Sequence, residues 1–166
     1  MLRLALCMLA TAGIAQAQVK IGIVDAEVVI QKCAKGKAFF EAYQKEVKAK
    51  QGDIDTMIET YRAKEKDAQA KAASMSQEAL SDLRAELQRL QTDIKRKQED
   101  YQREMQIKLD GQLEQFRREL APLIRQVAQE QGLDLVLNYG PETNIVFISD
   151  KINITSTVTQ KYDEMQ

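Results

Sequence analysis

Residues 80–127 read LSDLRAELQRLQTDIKRKQEDYQREMQIKLDGQLEQFRRELAPLIRQV, and their apolar side chains recur at the spacing of an amphipathic helix. Five of them are spaced 11 residues apart: Leu83, Ile94, Met105, Phe116 and Val127. An 11-residue repeat corresponds to about 3.67 residues per turn and predicts a straight or slightly right-handed coil. Because the apolar stripe is narrow, this helix is expected to pack along one partner helix and to face water elsewhere.

A second helical stretch precedes this one and is its expected partner. Upstream, apolar residues also follow steps of three and four, but lysines at in-register positions, such as Lys50 and Lys64, weaken the stripe. Ser76 is a suitable N-cap for the return helix and places the hairpin tip near residues 73–76. Residues 37–131 therefore predict an antiparallel α-helical hairpin, a coiled-coil arm whose outgoing leg of about 38 residues reaches roughly 55–60 Å.

Proline and glycine residues mark weak points and the end of the hairpin. Pro122 lies inside the return helix and predicts either a kink or the start of a new helix. Gly52 and Gly111 lie in the middle of the two legs and predict an arm that bends. Gly132 is suited to the position just after the last helical turn, so we expect the return helix to end there.

Short β-like segments flank the hairpin on both sides. Residues 19–23 alternate apolar with polar or small side chains and predict a half-buried strand. Asp25 is a good N-cap for a short helix over residues 26 to about 33, which places Cys33 on its apolar face. Residues 35–37, Lys-Gly-Lys, mark the break before the arm.

The segment after the hairpin returns to the pattern of strands. Leucines at alternate positions of residues 133–137 predict one strand, and residues 145–148 predict another. Thr155 is suited to cap a last short helix that carries Val158 and Tyr162 on its apolar face.

The two terminal segments together form a small predicted body, and its size predicts an oligomer. Residues 18–36 and 132–166 make a marginal domain by themselves, and three short strands leave open edges. Several copies of the chain would solve both problems by pooling their strands. The apolar strand residues expected in this oligomerisation body are Val19, Ile21, Ile23, Leu133, Leu135, Leu137, Ile145 and Phe147.

The first residues have the features of an export signal. Arg3 provides a positive charge, residues 4–14 are apolar but too short to span a bilayer, and Ala15-Gln16-Ala17 is a small-x-small cleavage site. We therefore expect residues 1–17 to be removed after Ala17 and the protein to be exported.

The chain without its signal has few of the side chains that catalysis and metal binding most often use. Cys7 lies in the signal, so Cys33 is the one remaining cysteine, expected as a packed small side chain rather than an intermolecular bridge or a reactive thiol. The chain has no histidine, which removes the commonest general base and zinc ligand. The interpretation is a protein that is not an enzyme and needs no cofactor or metal.

Charge is balanced overall but unevenly distributed. The chain has 24 basic and 25 acidic residues, a balance that argues against nucleic acid as a partner. Residues 60–97, the half of the arm near the tip, carry nine basic and six acidic residues, a net charge of +3. Lys95, Arg96 and Lys97 are a candidate basic tip patch for acidic cargo or an anionic membrane. Ordinary ion pairs between residues four apart on a solvated helix account for the same charges.

The order of these segments resembles the Skp (OmpH-like) family of periplasmic chaperones over essentially the whole exported chain. The residues that carry the resemblance are Ile21-Gly22-Ile23-Val24-Asp25 and Gly36-Lys37 before the hairpin, and, after it, Gln131 to Leu137 and Ile152-Asn153-Ile154-Thr155. The resemblance implies an α+β, mostly helical fold. It further implies a homotrimer with a small intersubunit β-barrel body and one long hairpin arm per subunit.

The same resemblance implies a holdase in the periplasm. Such a protein binds unfolded outer-membrane β-barrel proteins between its arms without ATP and prevents their aggregation; lipopolysaccharide is a further possible contact. Candidates to face such clients, or alternatively to close the hairpin seam, are Met57, Tyr61, Met75, Leu80 and Tyr101. The competing interpretation is a structural coiled-coil scaffold or spacer of the cell envelope that binds one folded partner.

Overall fold

The structure is a computed structural model that describes residues 19–140 and 143–165. The expected signal peptide, its cleavage site after Ala17 and Cys7 lie outside the described residues. The elements are, in order, β1 (Ile21–Val24), α1 (Ala26–Lys32), α2 (Ala34–Lys71), a 3₁₀ turn (Ala72–Ser74), α3 (Gln77–Glu130), β2 (Leu135–Asn138), a second 3₁₀ turn (Asp150–Ile152) and α4 (Thr155–Glu164). The described chain is mostly helical, as predicted.

Helices α2 and α3 form the antiparallel hairpin. Helix α2 has 38 residues and is about 57 Å long at 1.5 Å per residue. The chain turns through the 3₁₀ turn, and Ser76 caps α3 by accepting a hydrogen bond at 3.2 Å from the Ala79 amide. The predicted position of the tip, near residues 73–76, is confirmed.

The start of the arm differs from the prediction. Helix α2 begins at Ala34, and Cys33 alone separates it from α1, so the break does not lie at residues 35–37. Gly36 lies in the first turn of α2, where a Cβ atom would be 1.6 Å from the carbonyl oxygen of Ile30. Glycine is required there because the two helices meet too closely for any side chain, and not because the chain stops being helical.

The far end of α3 agrees with the prediction only in part. The helix continues through Pro122 without interruption, so the alternative of a new helix starting there is wrong. Proline lacks the N–H that would bond the carbonyl of Arg118, but packing of the neighbouring turns maintains the helix. Gly132 adopts a φ of 62°, the left-handed conformation that glycine tolerates best, and its amide bonds back to Gln129.

The body contains a small parallel sheet. Strands β1 and β2 pair in parallel with Ile21 opposite Leu135 and Ile23 opposite Leu137. The other edge of β1 is also occupied, because the Ile154 amide donates to the Ile23 carbonyl at 2.8 Å. Long helices connect the two strands, as parallel pairing requires.

The strand predicted over residues 145–148 is not formed within the described chain. Both edges of β1 are already paired, so the segment has no strand beside it inside the same chain. An extended segment without a neighbour cannot satisfy its backbone hydrogen bonds as a sheet. Its side chains Val146 and Phe147 are exposed.

The two faces of β2 have different surroundings within one chain. Val136 packs against the core, whereas Leu135 and Leu137 point outwards and are exposed. Leu133 precedes the strand and packs on the core separately. The alternation of leucines identified the strand correctly, and both faces of β2 carry apolar residues.

The core of the body forms around the base of α3. Phe116, Leu120, Leu123 and Val127 are buried there and cross the boundary at residue 131 that the sequence suggested between arm and body. The other buried members come from β1, α1, the junction before α2, and the C-terminal segment: Val24, Val29, Ile30, Cys33, Ile154, Val158 and Tyr162. The body is therefore larger than the two terminal segments, and its size alone no longer argues for an oligomer.

Helix α4 closes the body. Val158 and Tyr162 are buried on its inner face, as predicted. Thr155 is not the cap but the first helical residue, and its hydroxyl accepts a hydrogen bond at 2.9 Å from the Asp25 amide. Asn153 takes the capping role instead, because its side-chain oxygen accepts from the Thr155 amide at 3.0 Å.

The close approach at Gly36 generates the first testable prediction. The change Gly36→Ala should lower the free energy of unfolding by about 2 kcal/mol or more, because a backbone carbonyl blocks the new methyl group. Urea unfolding measures the difference. Gly52→Ala is the matched control: no atom lies within 4 Å of its Cβ position, so it should raise the free energy of unfolding by up to about 1 kcal/mol. Equal losses at both positions would contradict this explanation of Gly36.

Candidate functional site

The hairpin is held together by a thin apolar seam. Between Phe40 and Phe116 the buried side chains are Ile54 and Met105. The 11-residue repeat lies on the covered side of α3, since Met105, Phe116 and Val127 are buried and Leu83 and Ile94 are half-buried. Most of the remaining arm surface is in water, so the arm has little packing to make it rigid.

A series of ion pairs between the two legs supplements the seam. In the described chain, four lysine–glutamate pairs join α2 to α3: Lys35–Glu119, Glu46–Lys108, Lys50–Glu104 and Lys64–Glu86. Lys50 and Lys64 are the in-register lysines that weaken the apolar stripe in the sequence. At these two positions of the seam, contacts between the helices therefore involve charged side chains. Lys50 lies 2.8 Å from Glu104 and 4.2 Å from the ring centre of Tyr101.

The five candidate client-contacting residues lie along the seam. All five are half-buried: Met57, Tyr61, Met75, Leu80 and Tyr101. The two tyrosines use their hydroxyls locally, Tyr101 with Asp53 at 3.2 Å and Tyr61 with Glu65 at 3.3 Å. Each side chain is thus partly covered and partly open to solvent, which is compatible with both roles that the sequence suggested.

Two apolar residues that are more exposed were missed in the sequence as candidates for contact. Ile107 on α3 is 66% exposed and Val47 on α2 is 41% exposed. Val47 lies with Tyr43 and Gly52 along a shallow groove on α2. The sequence could have indicated Ile107, because an apolar residue outside the 11-residue repeat is a candidate for an exposed position. It could not have indicated Val47, because the spacing of Val47 fits the seam.

The basic residues proposed as a tip patch do not lie at the tip. Lys95 is about 27 Å along α3 from Gln77 at 1.5 Å per residue, so the three residues are in the middle of the arm. Neighbouring residues on a helix also point about 100° apart, so they do not share one surface. Lys95 lies 3.9 Å from Glu99, and Lys97 lies 4.8 Å from the ring centre of Tyr101. Lys95, Arg96 and Lys97 therefore lie in the middle of α3 and around its axis, and their interaction with acidic cargo or an anionic membrane stays a prediction.

The root of the arm has the densest polar contacts. Lys35 donates to both carboxylate oxygens of Glu119, at 2.7 and 2.8 Å, and Gln115 donates to one of them at 2.8 Å. The buried Tyr162 hydroxyl of α4 donates to the same carboxylate. The hydrogen bonds from Lys35 and then from Tyr162 lower the pKa of Glu119 to about 2. Glu119 thus links α2, α3 and α4 at one point.

An aromatic cluster surrounds this polar contact. Of the chain's five tyrosines and four phenylalanines, five residues gather at the root: Phe39, Phe40, Tyr43, Phe116 and Tyr162. Phe116 is at the centre, with ring centres 6.3 Å from Phe39 and 6.4 Å from Tyr162 in edge-to-face geometry. Pairs of this kind contribute beyond their buried area, so the root is better packed than the arm.

The outward face of the sheet is apolar and uncovered within one chain. It carries Ile21 on β1 and Leu135 and Leu137 on β2, all exposed, and Val19 is exposed just before β1. Ile23 on the same face is buried, because the segment around Asn153 lies beside it. Of the eight residues expected in the oligomerisation body, five are exposed: Val19, Ile21, Leu135, Leu137 and Phe147.

An open groove adjoins this face. It has a volume of about 1070 Å³ and lies between α1, α4 and residues 145–148. Ile145 and Phe147 line it on one side, and Thr159 and Asp163 of α4 line it on the other. The exposed apolar residues therefore continue from the sheet face into a groove on the same body.

Cys33 has a structural position. It is fully buried, its thiol donates to the Ile30 carbonyl at 3.3 Å, and its sulfur accepts from the Gly36 amide at 3.2 Å. Burial raises the pKa of the Cys33 thiol. The expectation of a packed side chain is confirmed, and the thiol additionally caps α2, a role that the sequence did not suggest.

A metal site and a membrane-spanning helix each place requirements on the described residues. They contain no group of three or more Cys, Asp or Glu side chains arranged to hold a metal ion. None of the helices in residues 19–140 and 143–165 combines the length and the apolar character needed to cross a bilayer.

The order of elements and the long hairpin correspond to a known family. The sequence signature described as outer membrane protein (OmpH-like) matches residues 20–162. The chain belongs to the OmpH-like family. The resemblance identified in the sequence is thereby confirmed.

A solved structure shares the fold. The crystal structure of a candidate outer membrane chaperone (OmpH-like) from Caulobacter crescentus CB15 superposes with a TM-score of 0.79 and 21% sequence identity. The match covers 90% of this chain and 87% of that chain. At this identity the similarity is one of fold. No curated protein matches this OmpH-like chain.

The contacts of Glu119 predict how stability depends on pH. A carboxyl group whose pKa is lowered on folding stabilises the fold above its usual value of 4.5, and this contribution is lost as the pH falls towards about 2. Because its side chain is 32% exposed, we expect about 1–2 kcal/mol rather than the full value of the shift. Glu119→Gln should remove this amount at pH 7 and less at pH 3, as measured by urea unfolding at both values.

Glu86→Gln is the control for this prediction. It breaks the ion pair with Lys64 further along the arm, where both side chains are more than 40% exposed. Exposed pairs contribute about 0–1 kcal/mol, so this change should have a small effect at either pH. An equal loss from both variants, or a loss from Glu119→Gln that is the same at pH 7 and pH 3, would contradict the role assigned to Glu119.

Proposed function

We propose that this OmpH-like protein is an ATP-independent holdase chaperone of the periplasm. In this proposal it binds unfolded outer-membrane β-barrel proteins between helical arms and prevents their aggregation before membrane insertion. The observation that supports it most is the arm itself: a hairpin of about 57 Å with a thin seam and exposed apolar side chains, projecting from a compact body. Such an arm is suited to contact a long flexible chain at many points. Neither catalysis nor a cofactor is part of this function.

The proposal includes a homotrimer whose body is a small β-barrel shared between subunits. The support is the uncovered apolar face of the sheet, with exposed Ile21, Leu135 and Leu137, and the neighbouring exposed Phe147. Contiguous exposed apolar surface of this kind marks an interface. The free edge of β2 and the unpaired segment 145–148 are the strands that copies of the chain would pair. One arm per subunit would then surround a common cavity.

Retention of a client would come from many weak contacts. Once one segment of a client is held, each further contact forms at a high effective concentration, so no single deep pocket is needed. We propose that Met57, Tyr61, Met75, Leu80 and Tyr101 contribute the parts of their side chains that the seam leaves open. Val47 and Ile107 join them because they are the most exposed large apolar residues of the two arm helices.

Charge provides a secondary contact in this proposal. Residues 60–97 carry the net charge of +3, so the outer half of the arm is suited to weak interaction with an anionic membrane or lipopolysaccharide. This contact would be diffuse, since the basic residues are spread around the helices.

Mass measurement in solution tests assembly and client binding together. The exported protein alone should have the mass of three chains, and addition of a urea-unfolded outer-membrane β-barrel protein should add one client to the trimer. A protein that leaves every such client to aggregate but captures one folded envelope protein would contradict the holdase and favour the structural scaffold. A folded single chain at micromolar concentration would contradict the trimer.

One substitution tests whether the apolar face of the sheet is the interface between subunits. Leu135→Glu places a charge in the proposed interface at a position that is already exposed in one chain, so it should yield folded single chains. Ile107→Glu introduces the same charge at an exposed apolar position on the arm and should leave the trimer intact. Trimers with both variants would show that the interface lies elsewhere.

The arm contacts require a separate variant. Replacing Met57 and Met75 together by Ser should weaken client retention by about tenfold, because roughly 1.4 kcal/mol of apolar contact is lost. Ala63→Ser with Ala70→Ser is the matched control, since both alanines are exposed and only hydroxyls are added. Client retention is measured by competition and stability by thermal unfolding. A lower melting temperature with normal retention would assign both methionines to the seam.

A further inference from the structure

Helix α4 contacts three separate points at the base of the arm with three consecutive residues. Lys161 donates to Glu130 near the end of α3 at 2.5 Å. Tyr162 donates to Glu119, which lies about 16 Å earlier on the same helix at 1.5 Å per residue. Asp163 accepts from the backbone amide of Ala34, the first residue of α2, at 2.8 Å. A ten-residue helix at the end of the chain thus touches both legs of the hairpin where they leave the body.

The contact of Asp163 completes the start of α2. Helix α2 has no acidic residue in its first turn, although the free amides at a helix start favour negative charge. Asp163 provides that charge from α4, and the Cys33 sulfur accepts from the Gly36 amide beside it. The beginning of the outgoing leg is therefore capped partly by a side chain from another helix.

The contact of Tyr162 compensates an unfavourable charge in the same turn. Lys35 lies at the start of α2, where a positive charge opposes the helix dipole. Glu119 neutralises it, and Tyr162 in turn fixes the Glu119 carboxylate. The two legs are thus held to each other and to α4 through one carboxylate.

The junction below these contacts contains a single non-helical residue. Only Cys33 separates α1 from α2, and it is extended, with φ −66° and ψ 154°. The return leg continues into the body as one helix, whereas the outgoing leg changes direction at Cys33. The start of the outgoing leg is therefore the part of the arm whose position depends on the contacts at the root.

We propose that α4 is a latch that holds the start of the outgoing leg in place against the return leg and the body. Three contacts support this assignment: Lys161 with Glu130, Tyr162 with Glu119, and Asp163 with the amide of Ala34. Loosening of α4 would let the first turns of α2 move relative to α3, which passes without interruption from the body into the arm. The consequence for cavity width depends on the proposed chaperone function, whereas the latch itself does not.

Amide hydrogen exchange of the full exported protein without client tests the latch. Tyr162→Phe combined with Asp163→Ala removes two of the three contacts while it retains the buried ring. Exchange should become about tenfold faster in residues 34–43, and the amides of β1 and β2 should keep their rates. Gln160→Ala is the matched control, since Gln160 is exposed and bonds only within α4, to Glu164.

Single variants keep the test decisive if the double variant is unstable. Asp163→Asn retains an acceptor oxygen and should retain most of the protection, whereas Asp163→Ala should lose it. Unchanged exchange in residues 34–43, or equal acceleration in the root and in the strands, would overturn the latch. Because no client is present, this result is independent of whether the holdase proposal holds.

Discussion

The base of α3 belongs to the arm and to the body at the same time, and the rest of the structure depends on this shared segment. Phe116, Leu120, Leu123 and Val127 form one apolar stripe on a continuous helix. Strand β1, helix α1 and helix α4 all pack on that stripe, and the same helix then continues as the return leg of the hairpin. A separate domain and arm would need a linker, whereas here a rigid helix passes from one to the other.

This arrangement explains why the hairpin can be so sparsely packed. An isolated pair of helices with two fully buried residues between Phe40 and Phe116 would have little to stabilise it. Both legs are fixed at the root, so each cross-helix contact further out forms between helices that are already neighbours. The lysine–glutamate pairs along the legs are mostly exposed and contribute little individually. Their more important effect is to fix the register of one leg against the other.

The sequence was most informative where one periodic pattern had one explanation. The hairpin, its tip at Ser76, the glycine end at Gly132 and the apolar face of α1 all followed from spacing and capping rules that act within a few residues. Predictions failed where contacts between distant segments decide the outcome. Gly36 indicated a break, but its cause is the carbonyl of Ile30. The strand expected over residues 145–148 is not formed in the described chain, because both edges of β1 are already paired.

The candidate site shows the same limit. Spacing identified the apolar residues of the arm but could not divide them between seam and surface, because Val47 fits the seam pattern and is nevertheless exposed. Lys95, Arg96 and Lys97 are adjacent in the sequence and suggested one patch, whereas a helix distributes consecutive residues around its axis. Glu119 was not identified at all. Its partners Lys35 and Tyr162 are 84 and 43 residues away in the chain, so no local pattern could indicate it.

The distribution of packing along the arm implies that its stiffness decreases from root to tip. At the root, aromatic rings and the Glu119 contacts connect three helices. In the middle, Gly52 lowers helix propensity, and no atom lies within 4 Å of the position a Cβ would take. Motion is therefore expected to begin beyond the root and to grow with distance from it. A limb that is fixed at its base and compliant further out can adapt to cargo of different sizes without disturbing the body that holds it.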